Sequence, residues 1–367
     1  MLMGTLKKLL TANWKAVLRG FYEYNILRRF RPLPLRQLGI DVTYRCNSRC
    51  VMCNIWNTEK RPELSVEQYD QILADPLFNT VERLLVSGGE PTLRTDLSDL
   101  IEVCFQHMPS LRVLSLVTNG LWPERILATC ADIVKRCTAR GIRVSISVSL
   151  DGLAETHEAM RNIPGAFAKA VETIDGLRKL QEQYDFYLGV GCVICHLNLH
   201  QLDAFADWCK ERSLPIGFQL VGFHDTYVDN LAQRTVLDFD DSDRPVLYAL
   251  IEKLAAEKSL TNTMAYYWSD MLHLYRDGWA RQSPCVFLVD SLVLDAYGNI
   301  RFCETADNLG NCLVDGSCTE LYYSTRAAAM RKAMKNSVCR SCNSGCLVNV
   351  ALRKDLLKYM RFLLLGF

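Results

Sequence analysis

The sequence predicts an α/β protein built around a sheet of six parallel strands. Over residues 38–223, short runs rich in β-branched residues alternate with longer segments whose apolar residues recur at helical spacing. That alternation is typical of β-α-β units. Right-handed crossovers between the strands build either an open doubly wound sheet or an incomplete barrel, and the periodicity fits both. In either architecture, ligands are bound by the loops at the carboxyl ends of the strands.

The predicted elements follow one another in a regular order. The strands are expected at residues 38–44, 83–88, 112–118, 143–150, 187–195 and 216–223. Helices are expected between them, at residues 65–75, 95–108, 123–137, 166–183 and 200–213. Residues 224–280 are mostly helical in pattern, and residues 291–303 predict a β-hairpin that turns at residues 297–299.

Composition narrows the class of protein. The chain has 367 residues, a formal net charge of +1 and 16 cysteines. So small a charge argues against nucleic acid as the main partner, because duplex binding usually needs a strongly basic surface. The first twenty residues interrupt every apolar run with Lys, Asn, Trp or Arg, so we expect a cytoplasmic protein without a signal peptide. In that compartment clustered cysteines indicate metal binding before disulfides.

Three cysteines lie close together after the first predicted strand, in the sequence CNSRCVMC. Cys46, Cys50 and Cys53 have the spacing C-x3-C-x2-C. Structural zinc usually takes four closed ligands, so three thiolates on one loop fit a 4Fe-4S cluster better. One iron then stays open for a small molecule that chelates through an amine and a carboxylate.

The Cys46–Cys53 loop, together with Gly88-Gly89-Glu90-Pro91 after the second strand, resembles the radical S-adenosylmethionine (SAM) superfamily. The resemblance implies a partial (β/α)6 TIM-like barrel and SAM bound to the open iron. It also implies reductive cleavage of SAM to a 5'-deoxyadenosyl radical, which takes a hydrogen atom from the substrate. An external reductant such as flavodoxin or ferredoxin is then expected.

The resemblance also assigns SAM contacts. Gly88, Gly89 and Glu90 face the SAM amine, and the residue chemistry agrees, because glycines permit close backbone approach and a carboxylate accepts from an amine. The alternative for this segment is a tight strand-to-helix turn. By analogy, Arg161 pairs with the SAM carboxylate, Ser149 contacts the ribose, and residues 190–194 line the adenine. Whether Met52 or Trp56 touches the adenine stays open.

A second group of cysteines near the C-terminus resembles the auxiliary-cluster region of the SPASM and twitch subgroups. We expect one auxiliary 4Fe-4S cluster, with Cys285, Cys303, Cys339 and Cys342 as ligands. Cys346 either replaces one of these or stays a free thiol, and Cys312 and Cys318 compete with them. Structural zinc at Cys303, Cys339, Cys342 and Cys346 is the alternative, because four thiolates suit both groups.

Glu304 directly follows the hairpin cysteine, where SPASM enzymes place an acidic residue that deprotonates substrate. It is therefore the candidate general base, and a solvated turn carboxylate is the alternative. The six histidines are interpreted as structural residues.

Four segments are expected along the chain. They are a basic amphipathic extension (1–35), the radical SAM barrel with its following helices (36–280), the auxiliary-cluster domain with a β-hairpin and helix (281–350) and an amphipathic C-terminal helix (351–367). No apolar run reaches the roughly 18–20 residues that span a bilayer. The two basic ends either pack on the barrel or lie on the inner face of an anionic membrane.

The sequence thus predicts a radical SAM oxidoreductase. The leading hypothesis is net oxidation of a small molecule, such as a sugar or aminocyclitol hydroxyl or a lipid-linked substrate, with electron transfer to the auxiliary cluster. A peptide-modifying maturase that forms thioether or carbon-carbon crosslinks, and a radical epimerase, are the alternatives. From another class, a catalytically inactive zinc-binding scaffold also fits the cysteines.

Overall fold

The computed structural model describes residues 18–59, 61–259 and 262–366. The chain divides into two compact units. The barrel unit comprises residues 35–244 and 291–334, and the helical unit comprises the described parts of residues 1–34, 245–290 and 335–367. This division differs from the four expected segments, because residues 291–334 join the barrel unit, while the described residues 18–34 and 335–366 join one helical unit.

The barrel unit is built on one nine-stranded sheet. Its strands are β1 (Gln37–Asp41), β2 (Arg83–Ser87), β3 (Val113–Thr118), β4 (Arg143–Ser149), β5 (Tyr187–Ile194), β6 (Ile216–Leu220), β7 (Ser291–Leu294), β8 (Asn299–Arg301) and β9 (Gly310–Asn311). The order is β6-β5-β4-β3-β2-β1-β7-β8-β9, and β1 to β6 are all parallel. Among the described residues the sheet stays open, with β6 and β9 at its edges. The predicted α/β fold with a partial barrel is confirmed.

Helices connect the parallel strands, as the apolar spacing predicts. In chain order they are α2 (Val66–Leu73), α3 (Leu97–His107), α4 (Pro123–Ala139), α5 (Ala154–Arg161), α6 (Ala166–Gln181) and α7 (Leu202–Glu211), followed by the short α8 (Arg234–Leu237). Local signals define several of their ends. Ser65 and Gln68 form a capping box at the start of α2, and α4 begins with a proline, whose missing N–H costs nothing in the first turn.

The two faces of the parallel sheet differ in side-chain size. Along β4, Val144, Ile146 and Val148 are buried, while the serines between them are partly exposed. Ser147 is in register with Gly189, and Ser149 with Gly191. Alternate residues of a strand point to opposite faces, so one face forms the apolar core and the other is lined by small residues. The small side chains leave room for a ligand on that face.

A hairpin joins the sheet beyond β1. β7 pairs in parallel with β1 and antiparallel with β8. Between them the Asp295 carboxylate accepts hydrogen bonds from the backbone N–H groups of Tyr297 and Asn299, both at 2.9 Å, and Gly298 has a φ of +89°. The predicted hairpin is therefore present. Its pairing with β1 makes it part of the barrel unit, which continues with α11 (Cys318–Tyr323) and most of α12 (Thr325–Asn336).

The helical unit consists of a helix described over residues 18–25 (α1), α9 (Arg244–Ala256), α10 (Met264–Asp277), α13 (Val348–Lys354) and α14 (Leu356–Leu365). Tyr24 of α1 is buried against Leu33, Val286, Val350 and Ala351. Its hydroxyl donates to Asp290 at 2.9 Å. The expected N-terminal extension is thus packed from residue 18 onward, and residues 1–17 lie outside the described chain. Within the described residues, every helix is too short or too polar to cross a bilayer.

Candidate active site

The three-cysteine loop follows β1 at the carboxyl edge of the sheet, and polar groups converge on its sulfur atoms. Ser48 donates its backbone N–H to Cys46 Sγ at 3.4 Å, and its Oγ lies 3.0 Å from Cys50 Sγ. Arg161 donates to Cys50 Sγ at 3.4 Å. All three thiols are partly buried and none is in a disulfide. Donors directed at sulfur stabilise thiolates, which is the form that ligates iron.

Burial alone opposes ionisation of these thiols. It raises the pKa of Cys46 to about 11 and the pKa of Cys53 to about 12, and the neighbouring cysteines add to both shifts. Three thiols that repel one another as thiolates need positive charge between them to ionise. The loop therefore fits a cluster held by Cys46, Cys50 and Cys53.

The two glycines after β2 let the following loop touch the backbone that enters the cysteine loop. A Cβ atom on Gly88 would lie 2.3 Å from the carbonyl oxygen of Thr43, and one on Gly89 would lie 2.2 Å from that of Arg45. Gly89 N–H donates to Thr43 O at 2.7 Å. Because any side chain here would push the cysteine loop away, the glycines position that loop.

Glu90 is buried and joins the ends of two strands. One carboxylate oxygen accepts from Thr92, through both its N–H and its hydroxyl, and from the Thr118 hydroxyl at 3.0 Å. The other accepts from Asn119 N–H at 2.7 Å, and the Asn119 amide also lies 3.8 Å from Cys46 Sγ. Burial raises the pKa of Glu90. Glu90 therefore ties the loop after β3 to the cysteine loop, and its contact with a SAM amine stays a proposal.

Arg161, at the end of α5, links the fourth strand to the cysteine loop. Its guanidinium lies 2.7 Å from the buried Asp151 carboxylate, besides its contact with Cys50. Asp151 follows β4 and also accepts from Val193 N–H at 2.9 Å. His157 accepts from the Asp151 N–H through Nδ1 at 3.0 Å, and burial lowers the pKa of His157 to about 3. The imidazole is therefore neutral, and Arg161 is the cation that faces Asp151.

The remaining SAM candidates lie near the same edge. Ser149 ends β4 on the small-residue face. Met52 is buried among Met160, Cys195, Val221 and Leu237 and so belongs to the core. Trp56 is partly exposed, donates from Nε1 to Cys53 O at 3.0 Å, and carries the Arg49 guanidinium 4.7 Å from its ring. Of the two residues left open for adenine, Trp56 is thus the more accessible.

A buried charged cluster, which the sequence interpretation missed, surrounds Arg301. Its guanidinium donates to Asp41 at 2.5 Å and lies 3.6 Å from Asp295. Burial raises the pKa of Asp41 to about 8. The Arg301 cation opposes this rise, and the negative charges of Glu304 and Asp295 add to it. Asp41, an aspartate at the end of an apolar strand, is the sequence signal that could have indicated this cluster, because a buried carboxylate needs a partner.

Glu304 belongs to this charged cluster. Its Oε2 is buried and has no hydrogen-bond partner among the described residues. Burial raises its pKa, and Arg301 acts in the opposite direction. The alternative of a solvated turn carboxylate does not fit these surroundings.

Tyr227 was also missed. It lies in the loop after β6, donates its hydroxyl to Gly88 O at 2.8 Å, and has the Arg301 guanidinium 5.6 Å from its ring. The same loop contacts the cysteine loop, since Asn54 N–H donates to Val228 O at 2.7 Å. Tyr227 therefore connects the GGEP segment with the charged cluster. No feature of the sequence around it marks such a role.

A cavity of about 360 Å³ lies beside the charged cluster. Charged and aromatic side chains line it, among them Glu59, Arg61, Tyr227, Arg301 and Asp307. A second cavity of about 410 Å³ shares Glu59 and Arg61 with it. This lining suits a polar ligand better than a hydrocarbon chain.

The expected auxiliary ligands are distributed over both units. Cys285, Cys339, Cys342 and Cys346 belong to the helical unit, where Arg281 donates to Cys342 Sγ at 3.2 Å. Burial raises the pKa of Cys339 to about 11, and Cys285 and Cys342 add to that shift, so the three thiols are neighbours. Cys303 belongs to the barrel unit, where its sulfur lies 3.3 Å from Thr305 Oγ1.

One expectation needs correction. Cys312 and Cys318 form a disulfide with each other, and as such neither is an iron ligand. The interpretation of all six histidines as structural stays a prediction. His196 and His200 are separated by three residues, a spacing found in metal sites, and both contact the Asp243 carboxylate.

The fold and the site together define a class of protein: an open β/α barrel that presents three cysteine thiols at the carboxyl edge of its sheet. Residues 40–209 match the family described as the radical SAM superfamily. The chain contains a radical SAM domain, and this family uses a 4Fe-4S cluster and SAM. The expected resemblance to this superfamily is confirmed over these residues, and a cysteine-rich region follows them toward the C-terminus.

Curated relatives match about half of the chain. Fe-coproporphyrin III synthase of Methanosarcina barkeri is 31% identical over 177 residues, which are 48% of this chain and 41% of that protein. Mycofactocin maturase MftC of Mycolicibacterium smegmatis is 32% identical over 168 residues, 45% of this chain and 39% of that protein. The chain thus spans less than half the length of these relatives.

Solved structures share the fold over most of the chain. SuiB of Streptococcus suis bound to S-adenosylmethionine has a TM-score of 0.58 and 15% identity, and the match covers 95% of this chain and 83% of that one. Native anSMEcpe with bound AdoMet has a TM-score of 0.58 and 16% identity, covering 90% of this chain and 99% of that one. At such identities the likeness is one of fold.

Proposed function

We propose that this protein is a radical SAM oxidoreductase that carries out a net oxidation of a polar substrate. One observation carries the proposal. A carboxylate oxygen of Glu304 is buried near the Arg301 cation and has no hydrogen-bond partner among the described residues. It lies in the same compact unit as Cys46, Cys50 and Cys53. When bound, the cluster and SAM supply a 5'-deoxyadenosyl radical that takes a hydrogen atom from the substrate. Net oxidation also requires loss of a proton and of one further electron. We propose that Glu304 accepts the proton and that the electron passes to the auxiliary cluster.

The chain's own residues divide the remaining work. Arg161 presents a cation for the SAM carboxylate, held in place by Asp151, while Ser149 offers a hydroxyl for the ribose. Gly88, Gly89 and Glu90 fix the loop that faces the SAM amine.

For the auxiliary cluster we propose Cys285, Cys339 and Cys342 as three ligands and either Cys303 or Cys346 as the fourth. Exchange of each of these two candidates for alanine, followed by measurement of iron content, identifies the fourth ligand. The cysteine whose replacement lowers the iron content is the fourth ligand.

The leading substrate is a small molecule such as a sugar or aminocyclitol, free or lipid-linked. The charged lining of the 360 Å³ cavity supports it, because Glu59, Arg61 and Asp307 offer partners to hydroxyl and amino groups.

Peptide modification is the second candidate. It is supported by the structures of SuiB bound to precursor peptide SuiA and of anSMEcpe with a bound peptide, and by the maturase MftC among the relatives. A polar cavity also suits a peptide side chain.

Anaerobic reconstitution tests the proposed activity. We expect about eight iron and eight sulfide per chain, as two 4Fe-4S clusters require, and dithionite-dependent formation of 5'-deoxyadenosine. Cys50→Ala should lose about four irons and all SAM cleavage, since it removes one of three ligands. Cys104→Ala, at a buried thiol in α3 apart from both cysteine groups, is the control and should retain both.

The outcome that contradicts the proposal is zinc in place of iron without SAM cleavage, which instead supports a zinc-binding scaffold. If the reconstituted protein cleaves SAM, the reaction can be repeated with polyol and peptide substrates. A product whose mass is lower by two hydrogens identifies oxidation.

We also propose that the helical unit contacts an anionic membrane surface. Leu18 and Tyr22 on α1 and Ile26 directly after it form an exposed stripe, and Phe30 beyond it is 81% exposed. Arg28 and Arg29 flank this stripe. On α14, Leu364 and Leu365 are 75% and 76% exposed. Exposed apolar groups beside arginines suit the interface of a bilayer with acidic headgroups.

Vesicle co-sedimentation tests this contact. The full chain should bind phosphatidylglycerol vesicles and not phosphatidylcholine vesicles. A variant with Leu18, Tyr22, Ile26 and Phe30 changed to serine should lose about tenfold or more in binding, given the apolar area it removes. Val314→Ser, at a barrel-unit valine that is 79% exposed, is the matched control. Failure of the unaltered chain to bind acidic vesicles contradicts the proposal.

A further inference from the structure

We propose that the barrel unit holds a zinc ion on His196, His200, Asp240 and Asp243. The site lies outside the cysteine loop and is independent of the proposed oxidation. Two imidazoles and two carboxylates are brought together from segments that are about forty residues apart in the chain. His196 and His200 lie on the turn from β5 to α7, and the aspartates lie directly before α9.

The distances between the side chains suit a shared cation. His196 Nδ1 lies 2.6 Å from one oxygen of Asp243, and His200 Nε2 lies 3.2 Å from the other. One ligand atom from each of His196, Asp240 and Asp243 lies within 4.8 Å of the others. Donors bound to one zinc at about 2.0–2.2 Å are separated by roughly 3–3.5 Å in a tetrahedron. The donor atoms of His196, Asp240 and Asp243 are therefore close enough to share one ion, and His200, which contacts Asp243, would complete the set by turning toward it.

Backbone contacts hold the two segments together without any metal. His196 N–H donates to Leu237 O at 3.0 Å. Asp240 and Asp243 bond reciprocally, each carboxylate accepting the other's N–H at 3.1 Å, in the manner of a capping box before α9. That arrangement explains the aspartates alone. It requires neither histidine, yet two imidazoles converge on the Asp243 carboxylate.

Burial is graded across the site in a way that suits an ion entering from solvent. The Asp243 side chain is fully buried, whereas those of His196 and His200 are 40% and 60% exposed. The carboxylate thus forms the floor and the imidazoles form the rim. Nitrogen and oxygen donors of this kind favour zinc over iron-sulfur clusters, which take thiolates. The ion would join the β5–α7 turn to the loop of residues 238–243, and both segments belong to the barrel unit.

The test uses the full chain with its iron-sulfur clusters reconstituted, treated with a chelator and titrated with Zn²⁺ and then Co²⁺. We expect one further zinc per chain and a rise in melting temperature. Bound Co²⁺ should show d-d bands without the sulfur charge-transfer band that a cysteine site gives. His196→Asn with His200→Asn should weaken this binding about 100-fold or more, since even outer partners of zinc sites are worth 10- to 100-fold.

His107→Asn is the matched control, because the His107 imidazole also contacts one aspartate, with its Nε2 2.7 Å from Asp70 Oδ1 in the same unit. It should bind the same amount of metal as the unaltered chain. Circular dichroism and iron content of each variant report whether it folds. The proposal is overturned if the unaltered chain takes up no extra zinc, if the double variant binds it equally well, or if Co²⁺ shows sulfur ligation.

Discussion

Replacement of Glu304 by glutamine is expected to leave reductive cleavage of SAM intact while product formation falls about 10²- to 10⁴-fold, the usual contribution of general acid-base catalysis. Glutamine has the shape of glutamate but does not accept a proton at neutral pH. The buried Oε2 of Glu304 has no hydrogen-bond partner among the described residues, so no donor of the described chain occupies it. The measurement is the ratio of product to 5'-deoxyadenosine in an anaerobic assay.

Glu172→Gln is the matched control for this substitution. Glu172 is exposed on α6, outside the charged cluster and the cavity, so its neutralisation should change turnover little. Iron content must be measured for both variants, because Glu304 is adjacent to Cys303 in the chain. Undiminished product formation by Glu304→Gln at full iron content would refute the proposed role of Glu304 as base.

Arg301→Gln is expected to destabilise the barrel unit by about 3–5 kcal/mol, the usual effect of breaking a buried ion pair by removing one partner. Arg301 is buried, and its guanidinium is the cation shared by Asp41 and Asp295. Without it, Asp41 and Glu304 would have to be protonated or remain as uncompensated buried charges. The measurement is the melting temperature of the reconstituted protein under anaerobic conditions.

Arg276→Gln provides the comparison. Arg276 pairs with Asp277 and Glu252 on the surface, where such ion pairs contribute about 0–1 kcal/mol. If both substitutions lower the melting temperature equally, the buried cluster has no special importance. Adding Asp41→Asn to Arg301→Gln should recover part of the loss, because it removes one of the charges left without a partner.

Patterns local in the chain determined much of this protein. The six parallel strands and the helices between them followed from apolar spacing, because burial of one face requires that spacing whatever the neighbours are. The spacing of Cys46, Cys50 and Cys53 and the nearby GGEP segment indicated the cluster and SAM. The hairpin at residues 295–299 was marked by its own turn residues.

Only the tertiary structure decided the contacts between distant segments. It paired β7 with β1 and so placed Glu304 in the barrel unit. It brought Arg301 to Asp41, 260 residues away, and Tyr227 to Gly88. It also joined His196 and His200 to Asp243 and Cys312 to Cys318. A single side chain has no periodic pattern to mark its partner, so the charges and hydrogen bonds of this site depended on how the chain folds.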